Sequence, residues 1–217
     1  EISLGYQHRG IERAMTGRHD LKKLHMMETL AGDSSIAHAS AYCQALEALS
    51  VCNVSARAQT VRGIALELER MANHTGDLGA FANDVAFLPT ASYCGRIRGD
   101  YLNMTADICG NRFGRNLLCP GGINYDLGPS YIQEISSKIE KIYKETESAV
   151  ELMFESPSVV SRFEDTGRLD SGTCETLGIV GVPSRACGFK RDIRFDFPFG
   201  IYRFSFLPVV SYDSGDV

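Results

Sequence analysis

Between Glu28 and Leu49 the chain leaves itself few ways to fold. A glycine and a short polar run, Gly32-Asp33-Ser34-Ser35, interrupt one pattern and open another. Asp33, Ser34 and Ser35 each offer an oxygen that can accept a hydrogen bond from the free N–H groups of a first helical turn. Alanines at 37, 39, 41, 45 and 48 then recur, so the helix can approach a neighbour closely at little cost in side-chain entropy. A helix of this kind is expected deep in an all-α core. Its N-terminus, with Glu28, Asp33 and His38 nearby, is where chemistry is expected. An ordinary buried helix with a capped start explains the same spacing.

The rest of the chain narrows the class. Its 217 residues suit one large domain or two small ones. The net charge of −5, with no long basic run, argues against a nucleic-acid partner. No stretch approaches about 18 uninterrupted apolar residues, so no transmembrane helix is expected, and no signal peptide is read. Opening at Glu1 in mid-pattern and ending on Ser-Gly-Asp-Val, the chain reads as a piece of a longer protein. Seven cysteines, at 43, 52, 94, 109, 119, 174 and 187, are odd in number, irregularly spaced and without a Cys-x-x-Cys. That pattern fits reduced cytosolic thiols better than a disulfide framework. It also gives no zinc or iron–sulfur spacing within this chain, leaving open a site shared with other segments.

In order, Leu4 to Arg13 reads as a strand end turning into a helix at Gly10, crowding His8, Arg9 and Glu12 together. A turn tied by an Arg–Glu ion pair explains that crowding; a functional role needs the three to face a cavity. Residues 16–27, with Gly17, His19, Lys22, Lys23 and His25, read as a mobile or surface helix. Ser55 caps a long helix over 56–75, with Val61, Ile64, Ala65, Leu68 and Met71 at helical spacing. Glu67, Arg70 and His74 share a face, either as a buried acid–base ladder or as a solvated surface. Gly76 to Gly79 loosens or ends this helix, and Pro89 punctuates a loop. A further helix spans 91–113, and Cys119-Pro-Gly-Gly122 is a turn. Pro129 opens an amphipathic helix that runs to about residue 154, and Ser156-Pro157 closes it. Beyond 158, glycines at 167, 172, 178, 181 and 188 alternate with short apolar runs. Ile193–Gly200 and Tyr202–Phe206 alternate as short strands or extended arms do. The expected fold is mainly α: a bundle of four or so helices over 1–157, then an irregular glycine-rich α+β tail over 158–217 with short β segments.

Together these stretches resemble one family over nearly the whole chain. It is the large subunit of membrane-bound, energy-converting nickel–iron hydrogenases, with its relative, the 49 kDa quinone-site subunit of respiratory complex I. His8-Arg-Gly-Ile-Glu12 is similar to the family's His-Arg-Gly-x-Glu. Glu28 through Tyr42 resembles its Glu-Arg-x-Cys-Gly-x-Cys-Gly-x-Ala-His segment. Arg57-Ala-Gln-Thr-Val-Arg62, with Glu67-Leu-Glu-Arg70 and His74, resembles its arginine-rich long helix. Gly121-Gly122-Ile123 and Asp126-Leu127 are similar to its Gly-Gly-Val and Asp-Leu pair. Ser184-Arg185-Ala-Cys-Gly188, Asp192-Ile-Arg194 and Pro198-Phe199 resemble its closing run. The resemblance implies a hydrogenase large-subunit-like helical bundle.

The departures refine what the resemblance implies. Where the hydrogenase branch places two nickel–iron cysteines, this chain has Ala31 and Ser34. Neither a methyl nor a hydroxyl replaces a soft thiolate ligand, so no nickel–iron site and no active hydrogenase is expected. Where the complex I branch has the tyrosine that meets the quinone headgroup, this chain has Gly32. Glu28 stands where hydrogenases use a glutamate to relay protons, which makes it a candidate relay or a structural hydrogen-bonding group. His38, Arg9 and Glu12 are candidate cavity residues. The resemblance further implies no cofactor bound by this piece, quinone as an acceptor in the complex, and an iron–sulfur cluster on a partner subunit. Its implied partners are an iron–sulfur small subunit and membrane ion-translocating subunits. Its implied place is cytoplasmic, peripheral to the inner face of the cell membrane. The alternative is a non-catalytic structural paralogue that scaffolds partner subunits.

Overall fold

Helices dominate the computed structural model, which describes residues 3, 5–17, 20 and 22–204. In chain order they are α1 (Ile11–Ala14), α2 (Lys22–Met27), α3 (Ser35–Leu49), α4 (Ala56–Asp84) and α5 (Leu88–Cys109). Strands β1 (Leu118–Cys119) and β2 (Gly122–Ile123) follow, then α6 (Pro129–Phe154), α7 (Pro157–Phe163), α8 (Ser171–Leu177), α9 (Gly181–Ala186) and α10 (Ile193–Asp196), with a 3-10 turn at Gly200–Arg203. Two compact units result: Glu1–Asn73 with Arg98–Ser137, and His74–Ile97 with Lys138–Val217.

In the first unit, α3 buries Ile36, Ala39, Cys43 and Glu47, a stripe at helical spacing. Ala41, Ala45 and Ala48 are exposed, so α3 packs by one face and does not lie deep in a core as expected. It rests on α2 and β1. Val61, Ala65, Leu68 and Ala72 on α4, and Tyr101, Met104 and Ile108 on α5, supply further buried side chains of this unit. The expected surface helix over 16–27 is corrected: α2 starts at Lys22 and buries Lys23 and Leu24. The Lys23 ammonium donates to the carbonyls of Met15, Thr16 and Gly17 at 2.7, 3.2 and 3.1 Å, closing the open C-terminal end of α1. His19 lies outside the described residues.

The expected turn at Cys119–Gly122 is present, flanked by the antiparallel pairs Leu118↔Ile123 and Cys119↔Gly122. Just before it, Gly114 has φ +69°, and a Cβ there would fall 2.2 Å from Ile36 Cδ1. Only a residue without a side chain lets this loop close on α3.

In the second unit, Gly76 to Gly79 does not end α4, which continues to Asp84. A Cβ at Gly79 would meet Cys94 Cβ at 3.0 Å, so the glycine serves close contact with α5 and does not break the helix. Pro89 sits in the first turn of α5, where its missing N–H would have had no partner. The helix therefore begins at Leu88, earlier than expected, and stops at Cys109. Ala82, Met153 and Val159 form a small core against Leu78, Phe87 and Phe163. The buried Thr90 hydroxyl donates to the Ala149 carbonyl at 2.8 Å.

The short β segments expected in the tail are also corrected. Among the described residues after 158 there is no strand; short helices take their place, and the two-stranded ladder at 118–123 is the β structure of the described chain. Ile193–Asp196 is helical because Asp192 accepts the Arg194 N–H at 2.9 Å and so caps the turn, a local side-chain bond that overrides the alternating pattern. Tyr202 and Arg203 lie in the 3-10 turn, and Ser205–Phe206 lie outside the described residues.

Candidate functional site

Glu28 extends the last turn of α2, its N–H donating to the Leu24 carbonyl at 3.0 Å. The residue is 2 % exposed. One carboxylate oxygen accepts the Asn116 N–H at 2.6 Å, and the other lies 3.0 Å from His25 Nδ1. The Ser35 hydroxyl donates to the Glu28 carbonyl at 2.7 Å, joining the segment to the start of α3. Asn116, at φ +63°, is itself steadied by the Asn124 side-chain amide, which donates to its carbonyl at 2.9 Å. The His25 side chain is 62 % exposed. A buried carboxyl is thus one imidazole away from solvent, and a carboxyl–imidazole pair can pass a proton. In sequence His25 reads only as part of a mobile or surface helix; its position three before Glu28 is the available signal.

The other expected site residues divide. The Arg9 guanidinium donates to the Thr29 and Leu30 carbonyls, so it joins the Glu28 segment. Glu12 does not: its carboxylate faces His8 at 3.9 Å, with both side chains more than half exposed. The Arg–Glu tie expected at this turn is replaced by that loose His–Glu contact. His38 is half-buried on the first turn of α3. Ala31 is exposed and carries no donor atom, and Ser34 is half-buried, so the pair does not fit a nickel–iron centre. Among the described residues, no group of three or more His, Cys, Asp or Glu side chains is placed to hold a metal ion.

The cap of α3 comes from elsewhere. Ser34 occupies the N-cap position without a side-chain bond. Glu69 on α4 instead accepts the N–H groups of Ile36 and Ala37 at 2.7 and 3.0 Å. Asp33 pairs with Arg98 at 3.2 Å, and its carbonyl accepts the Asn73 amide at 2.9 Å. A small cleft lies here, lined by Asp33, Glu69, Asn73, Arg112 and Phe113 among others. Burial pushes the Glu69 carboxyl up to about 7, against the downward pull of its two amide bonds and Arg70. Glu67 and Arg70, expected to share a face, form a 3.1 Å ion pair about one-third exposed.

A second, buried pair organises the loop after α5. Arg62 donates to Glu47 through two nitrogens at 3.1 and 2.7 Å. Nη2, which makes the shorter of these bonds, also reaches the carbonyls of Cys119 and Gly122 at 2.8 Å each, and Nε reaches Gly122 at 3.1 Å, while Glu47 also accepts the Gly121 N–H at 2.7 Å. Arg57 pairs with Asp126 at 2.8 Å. Two sequence motifs, 57–62 and 121–127, thereby meet in space. Burial pushes the neighbouring Cys43 thiol up to about 12 even though Arg62 pulls it down, so this thiol stays protonated and inert.

The family model described as respiratory-chain NADH dehydrogenase, 49 Kd subunit, matches residues 84–217. The chain belongs to this family. NADH-quinone oxidoreductase subunit 4 of Thermus thermophilus is 30 % identical over 214 residues, covering 99 % of the chain and 52 % of that protein. The carbon monoxide-induced hydrogenase of Rhodospirillum rubrum is 29 % identical over 220 residues, covering 100 % of the chain and 60 % of that protein. In the solved structure of the membrane-bound sulfane sulfur reductase, an archaeal respiratory membrane complex, one chain superposes with a TM-score of 0.89 at 20 % identity. That match covers 98 % of this chain and 57 % of its counterpart, and it shows a shared fold. The chain spans about half the length of the curated relatives it matches. No helix among the described residues is long and apolar enough to cross a membrane.

Proposed function

We propose that the chain is part of a subunit of a membrane-associated oxidoreductase complex resembling NADH:quinone oxidoreductase or energy-converting hydrogenase, without a nickel–iron centre of its own. The observation that carries this reading is the Glu28 carboxylate, 2 % exposed and 3.0 Å from a solvent-facing imidazole, in a chain of the 49 Kd subunit family. A proton held on Glu28 can leave through His25, and Arg9 fixes the Thr29–Leu30 backbone beside it. Quinone is the proposed acceptor, with electrons arriving from an iron–sulfur cluster on a partner small subunit. Membrane ion-translocating subunits complete the assembly, which places the chain at the cytoplasmic side, peripheral to the inner face of the cell membrane.

The second reading is a non-catalytic paralogue that scaffolds partner subunits. It is favoured by the 2.6 Å bond from the Asn116 N–H to Glu28, which gives that carboxylate a structural task independent of any reaction.

Purification of the full-length protein from native membranes in mild detergent tests both. Co-purification with an iron–sulfur subunit and membrane subunits, together with quinone-dependent turnover, is expected. A protein recovered alone and without quinone activity overturns the redox reading in favour of the scaffold. Stoichiometric nickel would overturn the absence of a nickel–iron centre.

A further inference from the structure

Two cysteines of the tail converge on one turn of chain. Asp170 caps α8, its carboxylate accepting the Thr173 N–H at 2.9 Å and the Thr173 hydroxyl at 2.6 Å. Cys174 lies one turn further on; its N–H donates to the Asp170 carbonyl at 3.0 Å, and its side chain is fully buried. Cys187 follows the end of α9, and its thiol donates to the carbonyl of Leu169 at 3.6 Å, the residue just before the cap. The Cys187 thiol is therefore delivered to the same turn that carries Cys174, where the Cys174 thiol raises its proton affinity. Both are free, with Cys174 buried and Cys187 partly accessible. The connection between them bends at Gly178 and Gly181, both at positive φ, which leaves the backbone room to adjust to the narrow geometry of a disulfide.

We propose that Cys174 and Cys187 form a reversible dithiol switch that closes to an intramolecular disulfide, with a low-molecular-weight disulfide as oxidant. Cys187, the accessible partner, loses its proton and attacks one sulfur of the oxidant, forming a mixed disulfide and expelling one thiolate. Cys174 then loses its proton and attacks the Cys187 sulfur, forming the internal bond and expelling the second thiolate. The two protein thiols together give up two electrons and two protons; the oxidant's disulfide takes them up as two thiols. Burial, the Cys174 thiol and the Asp170 carboxylate all push the Cys187 thiol up. Closure is accordingly slow at neutral pH and quickens as pH rises, because the thiolate is the nucleophile.

The full chain is incubated with glutathione disulfide over a range of pH, quenched with acid, alkylated and mapped by non-reducing mass spectrometry. The expected result is a cross-linked peptide joining Cys174 to Cys187, forming faster at higher pH and reversed by excess glutathione. Cys52, which is exposed, reports that the oxidant is active by taking up glutathione. Cys174→Ala is expected to convert the cross-link into a glutathione adduct on Cys187. The proposal is overturned if both thiols stay alkylatable while Cys52 is modified. It is equally overturned if wild-type Cys187 stops at the glutathione adduct or bonds to another cysteine. The wild-type map decides the matter even if the variant fails to fold.

Discussion

The Glu69 carboxylate accepts the Ile36 N–H at 2.7 Å, across the open end of a helix from another part of the chain. Burial holds its proton affinity up at about 7 although the contact favours the anion. The folded value is above the unfolded one, so the fold prefers the protonated form. Its contribution is complete below about pH 4.5 and fades as pH rises through about 7. Denaturant unfolding across this window should show wild-type stability falling by up to about 3 kcal/mol from this group. Glu69→Gln should flatten that slope. An unchanged slope in the variant would mean that another group titrates.

Arg62 and Glu47 are buried as a two-pronged pair that also grips the 119–122 turn. Removing one partner leaves a buried charge alone, which costs about 3–5 kcal/mol. Glu47→Ala and Arg62→Ala should each lower the unfolding free energy, measured by denaturant titration, by that amount. Arg62→Lys keeps the charge but loses the fork, and should recover only part of the loss. Hydrogen exchange at Gly121 should rise in all three.

Gly114→Ala faces two obstacles, the positive φ and the Ile36 side chain 2.2 Å from the added methyl. Overpacking of this kind costs about 1–3 kcal/mol, with backbone strain in addition. Ile36→Val removes the clashing Cδ1, so the double variant should be more stable than additivity of the two single changes predicts. Strict additivity in thermal unfolding would show that the loop moves aside.

Glu28→Gln can keep its contacts, presenting its oxygen to the Asn116 N–H and its amide to His25. Assembly of the intact complex should therefore survive. Turnover should fall by at least about tenfold if the carboxyl carries a proton, since positioned acid–base groups contribute about 100-fold or more. Equal turnover removes Glu28 from the proton path and supports the scaffold.

The helical class, the long helices and the turn at 119–122 were legible because apolar spacing and Pro–Gly chemistry are local signals. Errors arose where a local rule met a tertiary partner. Gly79 reads as a helix breaker until Cys94 is seen against it. Ser34 reads as a cap until Glu69 arrives from α4. The alternation at Ile193–Phe197 reads as a strand until Asp192 folds back on Arg194. Motif position singles out Glu28, Arg9 and Glu12 as candidates; the structure brings Arg9 to the Glu28 segment, whereas Glu12 remains at the surface. His25 reads as a surface residue because its spacing of three from Glu28 does not itself reveal that the acid is buried.

Lys22 and Lys23 are adjacent in sequence, but only Lys22 is exposed. The Lys23 amine is held by three carbonyls. In the native protein, acylating reagents and trypsin meet two chemically identical residues of which one is available. Labelling or cleavage at Lys23 is therefore a report that α1 has come away from α2, read from a single peptide and without any spectroscopic probe.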